Sequence, residues 1–160
     1  MSSFRGQVPL LHPDYQPGVP VFRIDDPAIP SGEIYHFSTH SGLLYEVQFG
    51  RKRDNYFGFV INFGVLNEYF ENEYAMTHEN EAFRIIATVI EIVRRFFVQH
   101  PLTEYFEFNG EFRESEKNRP SSVRTRLFYR TASRVVHSAY WNVEIQGNRV
   151  IVIRKQTPHG

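Results

Sequence analysis

The sequence predicts an α+β domain, a mostly antiparallel sheet with two main helices packed over it, from three observations. Two alternating runs, Leu43/Tyr45/Val47/Phe49 and Phe57/Phe59/Ile61/Phe63, flank the polar turn Arg51-Lys52-Arg53-Asp54-Asn55. Period-two alternation around a short polar segment is the pattern of an antiparallel hairpin with one face in the core. Residues 79–100 place Ala82, Ile85, Ile86, Val89, Ile90, Val93, Phe96 and Phe97 at helical spacing, which makes an amphipathic helix. Aromatic residues form 16% of the chain, with 15 Phe and 9 Tyr, a composition that favours sheet and a thick core.

In chain order, the prolines come first. Pro9, Pro13, Pro17, Pro20, Pro27 and Pro30 lie within the first thirty residues, and each fixes φ and removes a donor. Residues 1–20 are therefore expected to form an extended arm rather than an element of the core, wrapping its own domain or a neighbouring subunit. One domain is expected over 21–160. Strands are predicted over 32–38, 43–51 and 56–63. Helix 79–100 has Glu79 and Glu81 in its first turn after Thr77, its exit at Pro101, and Arg84, Thr88, Glu91 and Arg95 on its polar stripe. A strand over 103–108 ends at Asn109-Gly110 and leads into a charged loop over 111–119. A second helix, over 121–136, follows Pro120 with Ser121 or Ser122 as its cap. Strands 140–145 and 149–154 flank Gln146-Gly147-Asn148 as a closing hairpin. The predicted order is β–β–β–α–β–α–β–β, with helices over a mostly antiparallel sheet.

The chain has 160 residues, 18 basic and 18 acidic, and formal net charge zero. A protein so balanced has no global attraction for nucleic acid or an anionic membrane, and only a local patch could supply one. There is no cysteine, which excludes disulfides, thiolate metal sites and cysteine nucleophiles. No run approaches the roughly 18 apolar residues of a spanning helix, and residues 1–7 lack the apolar core of a signal peptide. The expectation is a cytoplasmic protein with no membrane contact.

The largest patch of one sign is in the second helix. Arg126, Arg130 and Arg134 recur at i, i+4 and i+8 with Arg124 close by, so they share a face. Val123, Leu127, Phe128, Ala132, Val135 and Val136 supply the face that packs. These four arginines are the candidate anion or partner contact, because guanidinium forks match phosphate and carboxylate oxygens. Glu111, Glu114 and Glu116 just upstream offer the alternative of a solvated, partly neutralised face. Arg51-Lys52-Arg53 extends the patch only if the fold brings that turn nearby.

The order from the hairpin through helix 79–100, strand 103–108, helix 121–136 and the final hairpin resembles the back half of the GNAT acetyltransferase fold, over roughly 43–155. The segments FRIIATVIEIVRRFF (83–97) and VRTRLFYRTASR (123–134) are similar to GNAT-like proteins encoded by bacteriophages. In the family's enzymes the cofactor pyrophosphate rests on a glycine-containing loop at the start of the first of these helices, where bare N–H groups meet phosphate. The matching segment, MTHENEAF (76–83), has no glycine and carries Glu79 and Glu81, which repel a pyrophosphate. The family's second helix often carries a tyrosine that protonates the departing thiolate. Aligning on Leu127 puts Phe128 at that position, one residue before Tyr129. The resemblance thus implies the fold without acetyl transfer by the usual route and without its cofactor.

Of seven histidines, only His36 and His40 are closely spaced, and on a strand i and i+4 lie about 13 Å apart. They predict no metal site. His78 beside Glu79 and Glu81 resembles an acid/base cluster, although first-turn carboxylates are also ordinary at a helix start. Glu68, Glu71 and Glu73, with Tyr69, Phe70 and Tyr74, form an acidic aromatic loop that either packs or offers contact surface. No nucleophile triad, phosphate loop or nucleotide fingerprint is present. The leading expectation is a non-catalytic interaction protein of phage type, acting through a protein partner or self-association. A divergent acyl- or nucleotide-dependent transferase that holds its cofactor on the arginine helix is the alternative. Nucleic-acid binding is a third.

Overall fold

The computed structural model describes residues 8–40, 42–65, 79–109 and 123–156. Strands β1 (Ile24–Asp25) and β2 (Ile34–Ser38) come first, and the two alternating runs become β3 (Leu44–Arg51) and β4 (Gly58–Val65). Helix α1 (Glu79–Gln99) crosses over to β5 (Tyr105–Asn109), and helix α2 (Val123–Val135) leads to the hairpin β6 (Trp141–Gln146) and β7 (Arg149–Arg154). These strands form one sheet in the order β1-β2-β3-β4-β5-β7-β6. Every neighbouring pair is antiparallel except β4–β5, which is parallel. That exception is what α1 makes possible, since parallel strands need a long crossover. The α+β class with a mostly antiparallel sheet and two helices is as expected. Strand β1 is additional.

One face of the sheet carries the core. Tyr45, Val47 and Phe49 of β3 and Phe59, Ile61 and Phe63 of β4 are buried in the predicted alternation. Phe57 departs from it: β4 starts at Gly58, and Phe57 is 41% exposed in the preceding turn. Helix α1 buries Ile85, Ile86, Val89, Ile90, Ile92, Val93, Phe96 and Phe97. Rings lock the two layers together. Phe96 stacks on Phe49 at 3.9 Å and on His100 at 4.0 Å, while Phe128 of α2 stacks on Phe108 at 4.1 Å.

The expectation that residues 1–20 stand outside the core is corrected for the part described. Leu10 and Leu11 are 4% and 7% exposed and Val8 is also buried. Both leucines line an apolar void of about 20 Å³ with Ile61, Phe106, Phe108 and Phe128. Backbone bonds hold the segment: His12 N donates to Val135 O at 3.0 Å and His137 N to Leu10 O at 2.8 Å. Trp141 Nε1 donates to Pro9 O at 3.0 Å. Proline density does set an irregular, extended path. The apolar residues between the prolines nevertheless gain burial.

The polar stripe of α1 is not a solvated face either. Arg84 donates to Pro20 O at 2.8 Å and lies 4.0 Å over the Phe22 ring. The Thr88 hydroxyl accepts from Phe22 N at 2.9 Å, and Arg95 reaches both Asp26 oxygens at 2.9 and 3.0 Å. The stripe clasps residues 20–26 and thereby delivers β1 to the sheet edge.

Candidate functional site

Helix α2 faces the sheet with Thr125, Phe128, Ala132 and Val135, all buried. Thr125 Oγ1 donates to Asn148 Oδ1 at 2.6 Å, tying the helix to the β6–β7 turn. This orientation divides the arginine stripe. Arg124 turns inward, its guanidinium 4.6 Å from the centre of the Phe63 ring. Arg126 is half-buried, while Arg130 and Arg134 are exposed. Arg51 is not part of that patch: it lies 4.2 Å over Tyr56 and donates to Tyr56 O at 2.7 Å, in the β3–β4 turn.

Arg134 opens on a groove of about 460 Å³ shared with His12, Asp14, Tyr15 and Gln16. Through His12 and Tyr15 it adjoins a second groove of about 540 Å³, floored by Phe97, Val98 and Pro101 with Glu91 and Arg94 at its side. Here the arm meets both helices. Glu91 accepts from Arg94 at 2.9 and 2.7 Å and from Arg95 at 3.1 Å. Burial alone would push its carboxyl up, but the two guanidinium groups outweigh it and hold it below the usual glutamate range. Burial and the Glu91 charge push the Tyr15 phenol up, against Arg134 and Arg94. His12 packs on His137 at 4.7 Å. The grooves thus have an apolar floor and a polar end that could take an anion at Arg134.

Sequence reading located Arg134 but not Tyr15, His12, Glu91 or Arg94 as its neighbours. The i,i+3 spacing of Glu91 and Arg94 signals their pairing, but nothing in the proline-rich segment signals Tyr15. His36 and His40 go separate ways: His36 Nε2 pairs with Glu46 Oε2 across the strands at 3.0 Å, and His40 meets the Phe22 ring edge-on. No group of three metal-ligating side chains occurs among the described residues. Residues 66–78 and 110–122, with Glu68, Glu71, Glu73, His78 and the capping serines, lie outside the described residues. No described helix is long and apolar enough to cross a membrane.

A different surface gathers at the start of β4 and β5. Tyr56 and Leu102 are 70% and 71% exposed, and Phe57 and Tyr140 about 40%. Backbone bonds set them side by side: Glu104 N donates to Phe57 O, Arg154 N to Glu104 O and Lys155 N to Tyr140 O, at 2.8–2.9 Å. Comparison of the chain with protein-family models, with curated proteins and with solved structures finds no match.

Proposed function

We propose that the chain is a non-catalytic interaction protein of GNAT-like, phage-type descent, working in the cytoplasm by contact with a protein partner or with itself. The row Tyr56, Phe57, Leu102 and Tyr140 carries this reading. Large apolar side chains at adjacent strand ends form the kind of patch that marks contact surfaces. Arg51 and Arg53 beside it supply a polar rim. The GNAT-like descent draws support from the order hairpin, helix, strand, helix, hairpin and from the lone parallel pair.

A photo-crosslinking residue at position 102 is expected to trap a discrete protein in cells, and one at exposed Ser38, at the other end of the strands, is not. Equal labelling from both positions overturns the reading. The alternative, a divergent transferase, is favoured by the groove at Arg134 and Tyr15. Calorimetry with acetyl-CoA separates the two. Micromolar binding that Arg130→Ala/Arg134→Ala abolishes favours the acyl-dependent transferase, whereas no heat at millimolar ligand counts against it.

A further inference from the structure

The sheet's two edges differ in how they are closed. Strand β1 has two residues, is followed by Pro27 and Pro30, and is moored through Asp26 to Arg95. Strand β6 has six residues, four of them exposed, and its sequence WNVEIQ holds no proline and no lysine. Short length, proline and charged side chains, lysine above all, are the usual guards of an edge, and of these β6 has only the carboxylate of Glu144.

The backbone of β6 has a definite polarity. Gly147 at φ 60° starts a two-residue turn closed by Gln146 opposite Arg149. Such a turn makes its closing residues a hydrogen-bonded pair, and the pairs then alternate along the hairpin. Glu144 and Asn142 bond to β7, while Ile145, Val143 and Trp141 direct their backbone groups outward. Two observed bonds agree: Lys155 N donates to Tyr140 O at 2.8 Å, whereas Trp141 N turns away to His137 O at 3.1 Å. Among the described residues, no bond beyond the hairpin engages Val143 or Ile145. Their side chains share the core-face register, yet Ile145 is 37% exposed and Val143 half-buried.

We propose that β6 pairs with β6 of a second copy, antiparallel, with Val143 opposite Val143. This register puts both outward backbone groups of Val143 and the N–H of Ile145 into bonds, the last on Trp141 O of the second copy. It sets Ile145 against Trp141 of the second copy on the core face, an apolar cross-strand pair. On the outer face it sets Glu144 against Asn142. The neighbouring register, centred on Glu144, would oppose two carboxylates and is disfavoured by charge. The pairing continues the sheet across the two-fold axis, and each copy offers the same patch, as a closed dimer requires. The inference rests on the interaction reading above and assigns its self-association to this strand.

Sedimentation equilibrium of the full chain tests it. The wild type is expected at twice the chain mass, and Ile145→Lys at the chain mass with an unchanged circular-dichroism melt. Asn142→Lys faces Glu144 of the second copy twice and is expected to tighten the dimer about fivefold at low salt. That gain is absent in the register centred on Glu144, where residue 142 meets residue 146. A monomeric wild type at high protein concentration overturns the edge pairing and leaves partner capture at Leu102 to be judged by its own crosslink. A dimer lost in Tyr56→Ser/Leu102→Ser but kept in Ile145→Lys also overturns it.

Discussion

The inner face of the sheet buries Tyr35, Phe37, Phe49, Phe106 and Phe108 beneath two helices, whereas the outer face centres on one carboxylate. Glu107 lies between Phe106 and Phe108, so it points the other way, and it is only 6% exposed. Tyr105 Oη donates to it at 2.8 Å, Arg149 lies at 3.4 Å and Lys52 at 3.5 Å. Burial alone would raise its pKa; the phenol and the two cations outweigh that and hold it below the usual glutamate range. The inner face is thus held by area and ring geometry, which tolerate protonation of carboxyls. The outer face is held by charge, which does not.

The largest expected effect is on the inner face. Phe96→Ala removes the ring that meets Phe49, Phe59 and His100 and should cost about 3–5 kcal/mol in denaturant unfolding. On the outer face, Glu107→Ala removes the carboxylate that Lys52 and Arg149 share. The expected cost is about 1–3 kcal/mol, and if it matches Phe96→Ala the contrast fails. Acid sharpens the comparison. A carboxyl lowered in the folded state stabilises above its unfolded value, near 4.5, and loses that stabilisation as pH falls through the folded one. Glu107 and Glu91 both behave so. Unfolding midpoints of the wild type should therefore drop below pH 4.5, and those of Glu107→Gln should drop less.

Alkali probes the same cluster from the other side. Burial first, then the bond and charge of Glu107, push the Tyr105 phenol up to about 12. In Glu107→Gln, ultraviolet titration should show one tyrosine ionising nearer its ordinary value of 10. The smallest effect belongs to His36 and Glu46, whose side chains are about a third exposed. Glu46→Gln should shift stability by less than about 0.5 kcal/mol.

Elements with long periodic patterns were legible in the sequence. Helix α1 and the hairpins β3–β4 and β6–β7 follow from spacing alone, because burial of one face dictates both the pattern and the structure. Strand β1 was not legible, since two residues between prolines carry no period. The arm misled for a physical reason: proline content describes backbone path and says nothing about where Leu10 and Leu11 find apolar contact. The arginine stripe was half legible. Helical spacing groups Arg126, Arg130 and Arg134, but only packing shows Arg124 over Phe63 and Arg134 beside Tyr15. Outward backbone polarity in β6 required the turn geometry at Gly147.

The bond from Trp141 to Pro9 spans 132 positions of the chain. During synthesis at about 5–20 residues per second, the arm leaves the ribosome well before Trp141, which donates to it. Leu10 and Leu11 then wait for Phe128, Val136 and Val150 to complete the pocket they share. Contacts of such long sequence separation slow folding, so docking of the arm should be a late event. A nascent chain stalled short of Trp141 should expose those leucines to proteases and chaperones that the released protein resists.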